Sequence, residues 1–181
     1  MKSLRYNQSH GFSLIELIIA MSLIAILSGI LASIIGLNFK IMGEVSDRKK
    51  LITRGSQAVT LFERELGLLI DSTNIVTADD QQLKFTDKND NTWEYLMTSS
   101  NFTRQEVSVG SALTLANPII NADSKFYYYD GDNVELTSLP LSSTNLKLVR
   151  LIKLVLVMDD GQGGASLIAS VYPENMKVYN K

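Results

Sequence analysis

Glu16 is the residue of this chain whose position most needs a chemical explanation. It is the only charged side chain between Phe12 and Phe39, and nearly all of its neighbours there are apolar or small. A carboxylate inside an apolar helix costs about 2.5–3.5 kcal/mol on membrane-insertion scales, so such a group normally has a partner. No Lys or Arg lies within two helical turns of Glu16. The sequence therefore raises the question of which group neutralises the Glu16 carboxylate.

Cleavage of the peptide bond between Gly11 and Phe12 would supply a cation. The new α-amino group of Phe12 would have a pKa of about 8 and a positive charge at neutral pH. It could neutralise Glu16 in the same subunit or in a neighbouring one. The alternative is a tolerated acid near the end of a membrane helix, with its carboxylate reaching the interface. The residues alone leave both explanations open.

The composition excludes most other reactive sites. The chain has no cysteine, and its only histidine is His10. Cysteine nucleophiles, disulfides, thiolate metal sites and nearly all histidine acid–base catalysis are therefore excluded. No spacing of Ser, Asp, Glu or Lys indicates a hydrolase, and there is no nucleotide-binding loop. We expect no catalytic site, metal or cofactor, and the net charge of −2 argues against nucleic-acid binding.

The element that must position Glu16 is a long apolar helix. Leu17 to Phe39 gives 23 residues without a charge. A helix of this length spans about 34 Å, enough to cross a bilayer core. The preceding residues 1–11 carry Lys2 and Arg5 and no acid. A secretory signal peptide starts similarly, but its apolar run is shorter and ends at a small-x-small cleavage site. We therefore predict a retained membrane helix.

Small residues recur along this helix at spacings of three or four. Such a stripe allows two helices to approach closely where lipid supplies no hydrophobic driving force. Small residues are also common in membrane helices in general, which is the alternative explanation. The predicted helix-packing positions are Ser22, Ala25, Gly29, Ser33 and Gly36.

The segment Gly-Phe-Ser-Leu-Ile-Glu-Leu at 11–17 resembles the class III signal of type IV pilins and type II secretion pseudopilins. That signal has a short basic leader, a Gly, usually a Phe, a Glu five residues into the mature chain, and then a long apolar helix. Here these roles fall to Gly11, Phe12 and Glu16. The resemblance implies that a prepilin peptidase cuts after Gly11 and methylates the Phe12 amine. It also implies that Glu16 contributes to assembly by pairing with the Phe12 amine of an adjacent subunit.

Beyond the membrane stretch, apolar residues continue at helical spacing with polar residues between them. One helix is therefore predicted from Phe12 to about Asp71, amphipathic in its second half, with residues 71–74 as a stop signal. The predicted core-facing positions are Ile41, Val45, Ile52, Gly55, Val59, Phe62, Leu66 and Leu69.

The rest of the chain predicts short antiparallel strands between polar turns. The expected strand pairs are 82–86 with 92–97, 125–129 with 134–137, and 149–158 with 165–172. The fold class is α+β, the pilin fold, in which a long N-terminal helix packs on a C-terminal antiparallel sheet. The expected segments are a leader at 1–11, a membrane and assembly helix at 12–39, its amphipathic continuation at 40–72, and a β-rich periplasmic domain at 73–181.

Details of the β-rich part narrow the resemblance to a subfamily. The run Phe126–Tyr129 with Asp130-Gly131, Arg150 in a late strand, and Val-Tyr-Pro-Glu-Asn at 171–175 are similar to J-type minor pseudopilins and W-type minor pilins. Those proteins commonly end in a valine-containing strand followed by an Arg-Asn pair, whereas this chain has Glu174 in place of that Arg. The resemblance implies a minor subunit that primes assembly near the tip of a type IV pilus or type II secretion pseudopilus.

Three other patterns permit a second interpretation. The run at 126–129 could stack on bases or a ligand, but a strand with alternate rings in the core is the commoner case. The acidic turns at 130–132 and 159–160 do not meet the EF-hand pattern, so we expect solvated turns rather than calcium sites. Residues 48–50 (Arg-Lys-Lys) could touch anionic lipid, but Glu44 and Asp47 beside them favour a solvated helix face.

The resemblance also implies partners and a location. The partners are the prepilin peptidase, other minor and major pilins or pseudopilins, and an inner-membrane assembly platform. The chain would cross the bacterial inner membrane once, with its C-terminal domain in the periplasm, before it enters the filament. Counting positive charges does not choose this orientation, because bases also follow the helix. A membrane-anchored adhesin or binding module is the alternative, in which Gly11 stays joined to Phe12.

Overall fold

The computed structural model describes residues 13–159, 161 and 164–173 of the 181-residue chain. One helix, α1, covers Leu14–Leu66. The chain divides into two compact units, residues 1–45 and 46–181, so α1 contributes to both. The first unit contains the apolar part of α1, and the second contains the end of α1 and every strand among the described residues.

In the first unit, every described side chain from Ser13 to Val45 is exposed. The most apolar window of α1 has a mean hydropathy of 2.6, and none of it is buried. Within the described residues, α1 is the one helix long and apolar enough to cross a membrane. A helix that is apolar all round is not stable in water, so this surface requires lipid or other helices around it.

In the second unit, the end of α1 buries one face. The buried positions recur at spacings of three or four, as expected for one side of a helix: Leu51, Gly55, Ala58, Phe62, Glu65 and Leu66. The helix ends at Leu66, about five residues before the predicted end, and Gly67 follows it. Asp71 instead caps a 3-10 turn at Ser72–Asn74, where its side chain accepts the Thr73 N–H at 3.0 Å.

Within the described residues, eight strands form two antiparallel sheets, where the sequence had predicted one. The larger sheet is a meander of β1 (Ile75–Ala78), β2 (Gln82–Thr86), β3 (Thr92–Thr98), β4 (Asn101–Glu106) and β5 (Ala112–Ala116). The smaller sheet contains β6 (Lys125–Tyr129), β7 (Leu151–Asp159) and β8 (Gly164–Val171), in that order. A short helix, α2 (Ser143–Leu146), precedes β7. The predicted α+β class is confirmed.

Two of the three predicted strand pairs are confirmed, β2 with β3 and β7 with β8. The third is wrong, because residues 134–137 contribute only an isolated bridge between Tyr129 and Glu135. Strand β6 pairs with β7 instead. Strands β1, β4 and β5 were not predicted from the sequence. Strand β4 shows why, since Phe102 is its one buried side chain and no apolar alternation marks it.

The core of the second unit is built around aromatic rings. Phe62 of α1 is fully buried and lies edge-on to Tyr95 of β3, with ring centroids 5.2 Å apart. The same ring lies 5.8 Å from Phe126 of β6. One helix residue therefore contacts both sheets. Phe126 and Tyr128 are both buried, which confirms that this aromatic run is a strand with alternate rings in the core.

The predicted core-facing stripe of α1 is correct only in part. Gly55, Phe62, Leu66 and Leu69 are buried and Val59 is half-buried. Three predicted positions, Ile41, Val45 and Ile52, are exposed, while Leu51 and Ala58 are buried in addition. The reason is that the sheets, and not the longest apolar repeat, determine which face of the helix is covered.

Candidate functional site

The predicted cleavage and methylation positions, Gly11 and Phe12, lie outside the described residues. The described chain starts at Ser13, immediately before α1. The Leu17 N–H donates to the Ser13 carbonyl oxygen at 3.2 Å, which is the first backbone bond of the helix. Ser13 therefore occupies the N-cap position, and Glu16 occupies the third position of the helix.

Glu16 caps the start of its own helix. Its Oε2 atom accepts a hydrogen bond from the Ser13 backbone N–H at 2.9 Å. Ser-x-x-Glu is the sequence of a capping box, in which the Glu side chain returns to the N-cap N–H. The positive end of the helix dipole also favours a carboxylate in the first turn. The chain thus gives Glu16 a hydrogen-bond donor and a partial positive charge, but no cation among the described residues.

The five predicted helix-packing residues all lie on one exposed face. Their positions fall within an arc of about 80° on an α-helix. A Cβ atom added at Gly29 or Gly36 would meet no described atom within 4 Å beyond the local helix backbone. Ser22 donates its hydroxyl to the Ile18 carbonyl oxygen at 2.8 Å and so remains within its own helix. This face is open in the single chain, and its packing against another helix stays a prediction.

A buried polar cluster that the sequence did not predict lies between α1 and the larger sheet. Glu65 of α1 is only 5% exposed. Arg104 of β4 donates to it twice, from Nε to Oε2 at 2.9 Å and from Nη2 to Oε1 at 2.6 Å. The Tyr95 hydroxyl donates to Oε2 at 2.5 Å. Both carboxylate oxygens are therefore satisfied inside the chain, in the bidentate geometry that makes Arg–carboxylate pairs strong.

The cluster continues through Trp93. The Arg104 guanidinium lies 3.8 Å from the centre of the Trp93 ring, and Trp93 Nε1 donates to Asp87 Oδ2 at 3.0 Å. Asp87 Oδ1 also accepts the backbone N–H groups of Asn89 and Asn91. A chain of charged and aromatic groups thus connects α1 to the β2–β3 turn.

The pKa values in this cluster follow from burial and these bonds. Burial, and then the hydrogen bond to Glu65, raise the pKa of Tyr95 far above its usual range. Burial opposes the charge of Arg104, but its bonds to Glu65 outweigh this and raise the Arg104 pKa. Burial likewise opposes the charge of Asp87, but the Trp93 and Asn91 donors outweigh it and lower the Asp87 pKa.

One sequence signal pointed towards this cluster. Glu65 stands three residues after Phe62 and directly before Leu66, on the apolar side of the helix. A carboxylate at such a position normally has a buried partner. That Arg104 would be the partner could not be predicted, because the strand that carries it has no recognisable pattern.

The other polar patterns considered in the sequence analysis, residues 48–50 and the acidic turns, form contacts with residues close to them in the chain. Lys50 forms an exposed ion pair with Asp47 at 2.9 Å, as expected for a solvated face. Asp130 Oδ1 accepts the N–H groups of Asp132 and Val134, so that carboxylate stabilises its own turn. Asp160 lies outside the described residues.

A comparison with known protein families finds a match for the N-terminal part of the chain. The family described as the prokaryotic N-terminal methylation motif matches residues 6–32, a segment that includes Gly11, Phe12, Glu16 and the first half of the apolar helix. No curated protein matches the chain significantly. The described architecture, a long N-terminal helix followed by antiparallel sheets, is consistent with the pilin fold, and the signal points to a structural subunit rather than an enzyme. The class III signal within residues 6–32 supports a type IV pilin-like protein.

Proposed function

We propose that this chain is a minor pilin or pseudopilin that helps to prime and assemble a type IV pilus or a type II secretion pseudopilus, near its tip. One observation carries the proposal: the methylation motif includes the start of a 53-residue helix whose first part is apolar and exposed on all sides. The inner membrane covers such a surface before assembly. Neighbouring helices cover it in a filament.

The proposal assigns a role to each segment of the chain. Residues 1–11 are the leader that prepilin peptidase removes, and Phe12 becomes the methylated N-terminus. Residues 12–39 anchor the subunit in the inner membrane and then pack in the filament, with the small-residue face against other pilins or pseudopilins. The helix continues to Leu66, and the β-rich part of the chain that follows it is the periplasmic domain. The inner-membrane assembly platform is the remaining partner.

In this function Glu16 has a second partner besides its helix. The bond to Ser13 N–H satisfies one acceptor site of a carboxylate that has about four. It supplies no full positive charge. The terminal amine of Phe12 in an adjacent subunit supplies that charge, and the pairing favours the inserted subunit because neither ion is then left alone in an apolar environment. Glu16 thus caps its helix first and pairs with a neighbour on assembly.

Two substitutions separate the capping role of Glu16 from its charge. Glu16→Gln keeps an acceptor for Ser13 N–H, since Gln also completes a capping box, but it removes the charge. Glu16→Ala removes both. We expect both variants to be cleaved after Gly11 and to be lost from the filament. The measurement is the amount of each variant in sheared filaments relative to the membrane fraction.

The control is Glu44→Gln, which removes an exposed acid of the same helix that lies 4.0 Å from Lys40. It should enter filaments as the wild type does. Incorporation of Glu16→Gln at the wild-type level would contradict the proposed pairing. A chain in which Gly11 remains joined to Phe12 would instead indicate the alternative, a membrane-anchored adhesin or binding module.

A further inference from the structure

Strand β8 forms an open edge of the smaller sheet. It pairs with β7 on one side without a register shift, and among the described residues no strand pairs with its other side. Its sequence, Gly-Ala-Ser-Leu-Ile-Ala-Ser-Val at 164–171, has no charged residue and no proline. Charges, prolines and bulges are the devices that keep an edge strand from pairing with another chain. This edge has none of them.

The backbone groups of β8 that point away from β7 follow from the bonds of β7. The Val157 carbonyl oxygen accepts the Ile120 N–H at 2.8 Å, and the Val157 N–H donates to Ser124 Oγ at 3.0 Å. Val157 therefore turns its backbone groups away from β8. Its partner Ser166 must then turn its own away from β7, because the two residues form a non-hydrogen-bonded pair. Every second residue of β8 shares this orientation: Gly164, Ser166, Ile168 and Ser170.

No hydrogen bond within the described residues reaches these outward backbone groups. The other edge strands are closed or interrupted. On the outer side of β6 the Leu136 N–H donates to the Tyr128 carbonyl oxygen at 2.8 Å, and on β1 the Leu141 N–H donates to the Ala78 carbonyl oxygen at 2.9 Å. Strand β5 pairs with β4 through a register shift. Of these four edges, only β8 combines a regular ladder with an unbonded outer side in the part of the chain that the structure describes.

The side chains of β8 suit an added strand without charges. On the core side, Leu167 and Val171 are only half-buried, although both pack on the core. Leu167 also lies against Gly55 of α1. A strand beside β8 would place every second side chain next to Leu167 and Val171 and so extend the core. On the opposite side, Ile168 is 59% exposed, and an apolar neighbour on the added strand would cover it.

We propose that an extended segment of a different pilin or pseudopilin subunit pairs with the outer edge of β8 and adds a fourth strand to the smaller sheet. The inference rests on the proposed function, in which other subunits surround this chain in a filament. Main-chain hydrogen bonds hold such a segment, and its alternate side chains give specificity. The segment therefore has apolar or small side chains at alternate positions, where they meet Leu167, Ile168 and Val171.

Hydrogen exchange resolved to single amides tests this pairing directly. It compares the chain purified in detergent with the same chain in complexes captured from sheared filaments. In the purified chain, the outward amides of Ser166, Ile168 and Ser170 should exchange fast, whereas those of Leu167 and Ala169 bond to β7 and should exchange slowly. In filaments the three fast amides should slow by about tenfold or more, and the other two should change little. A contact through side chains alone would not protect alternate amides.

A pair of prolines removes two of the outward donors. Ser166→Pro with Ser170→Pro loses two N–H groups that have no partner within the described chain, and proline is tolerated at such edge positions. We expect about tenfold less of this variant than of the wild type in filaments, because two interface hydrogen bonds are lost. The matched control, Ser166→Thr with Ser170→Thr, keeps both N–H groups and should enter filaments as the wild type does. Resistance to protease verifies that both variants are folded.

Unchanged exchange of the outward amides in filaments would overturn the inference, as would equal incorporation of the proline and threonine variants. Slow exchange of these amides in the purified chain would also overturn it. A dependence of that slow exchange on concentration would indicate pairing with a second copy, and independence would indicate pairing within the chain.

Leader removal and filament incorporation of the wild type are measured in the same samples. Incorporation without alternate protection counts against the β8 contact alone. Absence of the wild-type chain from filaments would overturn the proposed function and this inference with it.

Discussion

Two glutamates of the same helix, Glu16 and Glu65, are satisfied in opposite ways. Glu65 is buried and accepts three hydrogen bonds from two side chains of the larger sheet. Glu16 is exposed and accepts one, from the backbone of its own helix end. The first acid is fully neutralised within the chain and has a structural role. The second has no counter-charge among the described residues, which is why we assign its remaining partner to another subunit.

The glycines of the helix show the same contrast. Gly55 lies against Leu167 and Met158, and a Cβ atom there would clash with both side chains. Gly29 and Gly36 face open space. One part of α1 has thus completed its packing inside the chain, and the other part offers a surface that only lipid or another subunit can cover.

Breaking the Glu65 cluster should give the largest effect on stability. Removal of one partner of a buried ion pair leaves the other charge unpaired, and we expect Glu65→Ala to lower the free energy of unfolding by about 3 kcal/mol. Chemical denaturation of the full chain in detergent, followed by Trp93 fluorescence, measures it. Glu63→Ala, an exposed acid two residues earlier, is the control and should change stability little. If Glu65→Ala lowers the free energy of unfolding as little as Glu63→Ala does, the cluster does not hold the helix on the sheet.

Gly55→Ala should give the next largest effect. The added methyl group must displace the ends of Leu167 and Met158, and overpacking of this kind costs about 1–3 kcal/mol. Gly36→Ala is the matched control, since it adds the same group where nothing described opposes it. We expect Gly36→Ala to leave the unfolding free energy of the second unit unchanged and to reduce filament incorporation. We expect Gly55→Ala to lower that free energy and to leave filament incorporation unchanged. If the two variants behave alike in both assays, the contrast between the two parts of the helix is wrong.

The smallest effect concerns acid stability. The Asp87 pKa lies below its usual value of 3.8 in the folded chain, so its carboxylate stabilises the fold above that value and loses this contribution as the pH falls through the lowered folded pKa. Wild-type stability should therefore decline below about pH 4. Asp87→Asn should lower stability at neutral pH by about 1 kcal/mol and show a shallower decline in acid. Denaturation midpoints at pH 3 and pH 6 test this, and parallel declines would exclude Asp87 as a contributor.

The sequence predicted those features of the fold that have a regular pattern. The uncharged stretch from Leu17 to Phe39 indicated the membrane-type helix, and β-type residues flanking a polar turn indicated the β2–β3 hairpin. Strand β4 was missed because its side chains are mostly polar and half-buried, held by pairing with β3 rather than by its own apolar face. The exact buried side of α1 was missed because it depends on where two sheets lie.

Of the two glutamates compared above, the sequence singled out Glu16 but not Glu65, and it gave the hydrogen-bond partners of neither. Glu16 stood out because one charge in an apolar stretch is conspicuous. Its bond to Ser13 was not among the predictions, although Ser-x-x-Glu at a helix start is the pattern of a capping box. The partner of Glu65 could not be predicted, since 39 residues separate it from Arg104 in sequence.

An ion pair between Glu16 and a terminal amine requires that the chain is cut after Gly11. N-terminal sequencing with intact-mass measurement, on protein purified from its native membrane, tests it most directly. We expect a chain that has lost residues 1–11 and begins with N-methylated Phe12. A chain that still begins with Met1 would contradict it.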